Sequence, residues 1–164
     1  MMRKQGEIDM TTFNFKDGNG PVPAHQHSNG GGWVADTATV ADTAFIGPDA
    51  FVSGYARVTG DAQVFGDAWV SGYALVSDNA RVSGIARVFG NACVSGNAWV
   101  SGYARVFDNA RVTGDAQVFC YARVFGNALV SDDAQVSGDV EDDDTSEDIF
   151  IEMNGKRYKL VEIA

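Results

Sequence analysis

A branched aliphatic residue recurs every six positions from Val34 to Val136 without interruption. From Val40 onward an alanine stands two residues before each of them, beginning with Ala38 and ending with Ala134. A six-residue period matches neither the period of an α-helix nor the simple alternation of an ordinary β-strand. It is typical of a chain wound into a solenoid with one short β-strand in each hexad.

Every hexad follows the same internal plan. Its alanine and valine are two positions apart, so on a strand both side chains point to the same side, which must be the interior. The β-branched valine also favours an extended backbone. Pairs such as Gly60-Asp61 and Asp78-Asn79 come next, and these residue types tolerate the positive φ of tight turns. We therefore expect a four-residue strand and a two-residue corner in each hexad.

Longer internal repeats indicate how many hexads close one coil. The string ARVF begins at residues 86, 104 and 122, which are 18 apart. The string ARVTGDAQVF begins at residues 56 and 110, and 54 residues are three times 18. Three hexads therefore form a triangular coil, and Val34–Val136 predicts six coils.

With this repeat the chain resembles the left-handed parallel β-helix proteins built of hexapeptide repeats. The aliphatic positions and the alanines two before them carry the resemblance, which covers about residues 13–140. Known members include trimeric acyltransferases, which use sugar nucleotides, acetyl-CoA or acyl carrier protein, and zinc-dependent γ-class carbonic anhydrases. The segment GPVPAHQHSNGGGWVADTATV, residues 20–40, resembles a set of bacterial and phage hexapeptide-repeat proteins often labelled transferases. The resemblance implies an all-β, single-stranded, left-handed parallel β-helix.

The ends of the repeat divide the chain into four parts. Residues 1–33 are expected to be a tail and an N-terminal cap, and residues 34–140 the β-helix. Residues 141–148 read as a solvated acidic linker, since all but two are Asp or Glu. Residues 149–164 surround Asn154-Gly155, a strong hairpin signal. Because solenoid ends expose unpaired strand edges, we expect this C-terminal β-hairpin to cap the helix or to bind another chain.

Composition narrows the classes of partner and the compartment. The formal net charge is −10, from 12 Lys and Arg against 22 Asp and Glu, which argues against nucleic acid as a ligand. No apolar run is long enough for a transmembrane helix, and the basic start lacks the apolar stretch of a secretory signal. Cys93 and Cys120 fall on different sides of the predicted coil, so they read as reduced thiols. These features favour a cytoplasmic protein, or one of the host cytoplasm if a phage encodes it.

The repeats carry little visible apparatus for catalysis. The resemblance to acyltransferases implies a histidine base on the coils, but residues 35–140 contain no histidine. His25 and His27 are the only histidines, and two apart on an extended chain they would point the same way. They are the candidates for an alternative catalytic site or a metal site, although zinc would still need further ligands. The interpretation leans towards a protein without catalytic residues, metal or cofactor; acetyl-CoA enters only under the acyltransferase alternative.

One outer face of the predicted coil is rich in aromatic residues and arginine. When the outward positions are grouped by their place in the 18-residue coil, the aromatic residues and arginines fall in one stripe along most of the rod. This composition is typical of interface hot spots. Its predicted members are Phe51, Trp69, Arg87, Phe89, Tyr103, Arg105, Phe107, Tyr121, Arg123 and Phe125. A self-stacking ladder of rings is the competing interpretation, because identical rings on adjacent coils stack.

Three functions follow as hypotheses. The first is a rigid, non-catalytic scaffold, plausible for a phage or prophage gene, whose stripe mediates self-assembly (a trimer, by resemblance) or binds another protein. The second is an acyltransferase or acetyltransferase. The third is an acidic inhibitor or DNA mimic acting on a host defence or DNA-binding protein. It is disfavoured because no column of acidic residues runs the full rod and the arginines work against mimicry.

Overall fold

The computed structural model describes residues 11–138, 149–153 and 156–160, and every element in them is a β-strand. The predicted linker 141–148 and the tip of the predicted hairpin lie outside the described residues. The strands are β1 Thr12–Asn14, β2 Pro21–Gln26, β3 Trp33–Ala35, β4 Thr39–Val40, β5 Phe45–Ile46, β6 Phe51–Val52, β7 Arg57–Val58, β8 Gln63–Val64, β9 Trp69–Val70, β10 Leu75–Val76 and β11 Arg81–Val82. They continue as β12 Arg87–Val88, β13 Cys93–Val94, β14 Trp99–Val100, β15 Arg105–Val106, β16 Arg111–Val112, β17 Gln117–Cys120, β18 Arg123–Val124, β19 Leu129–Val130, β20 Gln135–Gly138, β21 Ile149–Met153 and β22 Lys156–Leu160.

Three parallel sheets form the sides of a β-helix with six coils, as the repeat predicts. Sheet I has the order β1-β2-β3-β6-β9-β12-β15-β18, sheet II β4-β7-β10-β13-β16-β19, and sheet III β5-β8-β11-β14-β17-β20-β21-β22. Each strand pairs in register with the strand one coil away; for example, Val88 is opposite Val106. The 18-residue coil inferred from the sequence is therefore confirmed.

The interior is a column of alanine and valine. Side chains such as Ala104 and Val106 have no exposed surface, and the same holds for nearly all the alanines and valines of the repeat. Burying them removes about 25 cal/mol per Å² of apolar surface from water, which is the main force that holds the coils together. Their alternation with outward-pointing residues confirms the predicted inside and outside of the hexad.

The strands are shorter than the predicted four residues, with two residues in most coils. The residues on either side still join the ladder, as when Thr59 donates its N–H to the Val76 carbonyl at 2.9 Å. The chain must then bend at once into the corner, where Gly60 has a φ of +68° and Asp78, one coil later, has a φ of +61°. The positive φ expected at the corners is thus confirmed.

Both ends of the β-helix carry extra strands. At the N-terminus β1 and β2 add antiparallel to β3, and Phe13 stacks on Trp33 with ring centroids 4.4 Å apart. At the C-terminus β21 pairs antiparallel with β20 and with β22. The predicted cap and hairpin therefore extend sheet I at one end and sheet III at the other.

Candidate functional site

All ten predicted interface residues lie on the outer surface of sheet I or at the corner leading into it. The in-register pairing of β6, β9, β12, β15 and β18 stacks Phe51, Trp69, Arg87, Arg105 and Arg123 in one column. A second column, two residues further along each strand, holds Phe89, Phe107 and Phe125, and the entry corner holds Tyr103 and Tyr121. We call this surface the arginine–aromatic face.

The rings of this face form continuous stacks. Phe107 lies between Phe89 and Phe125, with centroid distances of 5.0 and 5.3 Å and nearly parallel planes. Tyr103 and Tyr121 stack at 4.7 Å. Each such pair contributes about 0.5–1.5 kcal/mol beyond its buried area. The ladder expected under the competing interpretation therefore exists, but it does not bury the face, since Tyr103 is 49% and Phe125 40% exposed.

The arginine column lies directly beside the phenylalanine ladder. The Arg123 guanidinium is 5.5 Å from the centre of the Phe107 ring, and that of Arg87 is 5.4 Å from the Trp69 ring. Arg105 lies between these two arginines and is exposed. Within residues 11–138, 149–153 and 156–160, the one ion pair joins His25 to Asp36, so Arg105 has no carboxylate partner in that part of the chain.

The first two members of the predicted stripe are partly covered by the N-terminal cap. Phe13 and Phe15 pack against Phe51, with ring centroids 5.4 and 6.2 Å away. Trp69 packs against the same cluster and donates its Nε1–H to Ser53 Oγ at 3.1 Å. This contact could not be read from the repeat, because Phe13 and Phe15 lie outside it. The accessible part of the face consequently runs from coil four to coil six.

Two exposed tyrosines that the sequence interpretation left out of the stripe border the same sheet. Tyr55 and Tyr73 stack at 5.3 Å on the corner between sheets I and II, and they are 59% and 66% exposed. The signal was present in the sequence as two Gly-Tyr-Ala strings 18 residues apart, at 54–56 and 72–74. They extend the aromatic surface around the edge of sheet I.

The two histidines have separate partners. His25 is exposed and its Nδ1 lies 2.8 Å from Asp36 Oδ1, which orients the ring. His27 is buried, and its Nε2–H donates to the Ala44 carbonyl at 3.0 Å. The described residues contain no group of three or more His, Cys, Asp or Glu side chains arranged to hold a metal. The predicted metal site stays a hypothesis, and His25 is the better placed of the two for proton transfer because it reaches solvent.

Sheet III carries a shallow groove of about 350 Å³. Its lining residues are Asn79, Arg81, Asn97, Trp99, Asp115 and Gln117. Trp99 is fixed by a hydrogen bond from its Nε1–H to Ser83 Oγ at 3.0 Å, and Asn97 donates to Asp115 Oδ1 at 2.9 Å. No predicted site residue lies in this groove, so it stands apart from the arginine–aromatic face. Cys93 and Cys120 are free thiols, as expected.

The comparisons with known proteins concern the repeat. A family model described as the YdcK β-solenoid repeat matches residues 86–102, 104–118 and 122–138. A solved structure from Bacillus cereus, titled as that of a "putative acetyltransferase", is similar with 12% identity and a TM-score of 0.36, covering 63% of this chain and 70% of that one. No curated protein matches the chain. The structure has no helix, in the residues it describes, that is long and apolar enough to cross a membrane. The hexad period, the six coils and the matched repeats together show that the chain folds as a parallel β-solenoid of 18-residue coils.

Proposed function

We propose that the protein is a rigid β-helix scaffold whose arginine–aromatic face binds protein, either a second copy or a different partner. One observation carries the proposal: Arg105 stands exposed between two further arginines, beside a stacked phenylalanine ladder. Arginine and aromatic residues dominate the energetic centres of interfaces. A surface of this kind, left partly uncovered along several coils, is unusual for a protein without a partner.

Rigidity suits the scaffold role. The face is held by in-register backbone ladders from sheet I and by rings that stack on each other, so its aromatic side chains lose little conformational freedom on binding. Preordered side chains reduce the entropic cost of association. The bacterial or phage source implied by the resemblance and the cytoplasmic location favoured by the composition stay predictions.

Affinity capture with matched variants tests the proposal. Wild-type protein, Phe107→Asp and Phe65→Asp would be immobilised and exposed to an extract of the source cells and, separately, to soluble wild-type protein. Phe107 and Phe65 hold the same place in the hexad, but Phe65 lies on sheet III. We expect Phe107→Asp alone to lose the bound protein.

Because Phe107→Asp removes two stacking contacts, Arg105→Glu serves as a second variant at an exposed position that takes no part in those stacks. Circular dichroism confirms that each variant keeps its β signal. Binding that survives both Phe107→Asp and Arg105→Glu would show that this face is not the binding surface.

The acyltransferase hypothesis is kept as a second candidate because Asp36 orients the exposed His25 ring, as a general base requires. Its test is acetyl-CoA binding by calorimetry, with His25→Ala as the matched variant. Acyl transfer that is lost in His25→Ala would favour this function. No measurable acetyl-CoA binding by the wild-type protein would remove it.

A further inference from the structure

Negative charge in the β-helix is concentrated at one corner, in a line that is interrupted at coil four and so does not run the full rod. The corner between sheets II and III carries an exposed carboxylate in every coil except the fourth, where Gly96-Asn97 stands instead. Its members are Asp42, Asp61, Asp78, Asp115, Asp132 and Asp133. They alternate between the first and the second corner position, so neither position alone forms a column. We call this line the acidic corner.

The acidic corner and the arginine–aromatic face lie on opposite sides of the rod. In a three-sided coil the corner between sheets II and III is the one that faces away from sheet I. One cross-section therefore presents arginines on one side and carboxylates on the other. In coil five these are Arg105 on β15 and Asp115 at the corner between β16 and β17.

We propose that the arginine–aromatic face of one copy receives the acidic corner of a second copy. This inference rests on the proposed function, since it names the occupant of the proposed binding face. The chain supplies both halves of the contact: the exposed Arg105 guanidinium, which has no carboxylate partner among the described residues, and the exposed carboxylates of the corner. Complementary charge of this kind selects partners and fixes their register.

The repeat gives the arginine–aromatic face and the acidic corner the same spacing along the rod. Strands and corners both repeat at the coil spacing of about 4.8 Å, so parallel rods can align the charged pairs of coils five and six at once. Full overlap of two rods buries the most surface and places equal coils at the same level. At that level Arg105 meets Asp115, Arg123 meets Asp132 and Asp133, and Arg87 meets the uncharged Gly96-Asn97 corner of coil four.

The direction of the contact determines the type of assembly. A face that binds a different surface is a heterologous interface, which closes into a ring only if the two surfaces are suitably inclined. Here they point in opposite directions, so copies add side by side in an open row. The mass should therefore rise steadily with concentration and should not stop at a fixed oligomer.

Sedimentation velocity over a concentration series tests this contact through charge reversal. Arg105→Glu should weaken self-association about tenfold or more, as expected for an interfacial charge pair. Asp115→Arg should weaken it as well, although it makes the acidic chain less negative and so reduces general repulsion. Asp49→Arg changes the net charge equally at a different corner and should not weaken association. The double variant Arg105→Glu/Asp115→Arg should recover most of the wild-type association.

The outcomes separate this inference from the proposed function. Wild-type protein that stays monomeric, or that stops at a closed trimer, would contradict the open row of copies. The proposed function would still hold in that case if Phe107→Asp abolished the capture of a different protein. If Arg105→Glu weakens self-association and Asp115→Arg leaves it unchanged, the acidic corner is not the surface that binds the face. Self-association that is unchanged in every variant of the arginine–aromatic face would contradict both proposals.

Discussion

Gly102 and Cys120 occupy the same corner on successive coils, and both have a left-handed backbone, with φ of +67° and +58°. The Tyr103 N–H next to Gly102 donates to the Cys120 carbonyl at 2.7 Å. Side chains with a Cβ pay a steric penalty in this conformation, whereas glycine adopts it freely. The corner therefore accepts a cysteine at a cost in stability.

We predict that Cys120→Gly raises the free energy of unfolding by up to about 1 kcal/mol, because it removes the strained Cβ. The reverse change one coil earlier, Gly102→Ala, should lower it by more, since a Cβ there would lie 2.9 Å from the Cys120 nitrogen. Urea denaturation of the two variants measures both effects. An unchanged or lower stability of Cys120→Gly would show that the left-handed backbone at Cys120 is not strained.

The narrow interior should reject larger side chains. Ala116 is fully buried, so Ala116→Leu should cost about 1–3 kcal/mol through overpacking. The neighbouring Gln117 is exposed, and Gln117→Leu should change stability by no more than about 0.5 kcal/mol. Thermal unfolding of this adjacent pair compares inside with outside directly. Equal effects would mean that the two positions do not alternate as described.

The two histidines should differ in how much they contribute to the stability of the fold. His27→Ala removes a buried ring and its hydrogen bond to the Ala44 carbonyl, although Asn29 Nδ2 still donates to the same oxygen at 3.0 Å. We expect a loss of about 1–2 kcal/mol in the free energy of unfolding. His25→Ala, at an exposed position, should change stability little. If His25→Ala were the more damaging variant, the cap would be held differently.

Asp17 should contribute to stability only while it is ionised. The Asn19 backbone N–H, which donates to Asp17 Oδ1 at 3.0 Å, is the main reason that the pKa of this carboxyl lies below its ordinary value. A depressed folded pKa means that the contribution is present at neutral pH and is lost as the pH falls through that pKa. Because Asp17 is exposed, solvent keeps the effect small. NMR titration should find its pKa lowered, and an ordinary value would contradict the hydrogen bond from the Asn19 N–H.

The regular part of the fold could be predicted because each hexad repeats one local rule. Alanine and valine set the interior, and residues such as Asp78 set the corners, so no long-range information was needed. The N-terminal cap could not be predicted in detail. Its contacts, such as Phe13 on Trp33 and His27 on Ala44, join residues outside the period.

The candidate site shows the same division. Sorting by 18 predicts which side chains share the arginine–aromatic face, because register follows from the period. The cover that Phe15 gives to Phe51 and the segregation of acidic residues opposite sheet I required the three-dimensional cross-section. Neither follows from a single column of the repeat.

Light scattering after gel filtration, applied to wild-type protein and Phe107→Asp over a range of concentrations, addresses the binding face most directly. We predict that the wild-type mass exceeds 17.4 kDa and increases with concentration, while Phe107→Asp stays at 17.4 kDa with an unchanged β signal in circular dichroism. Equal masses for the two proteins at every concentration would contradict self-association through the arginine–aromatic face.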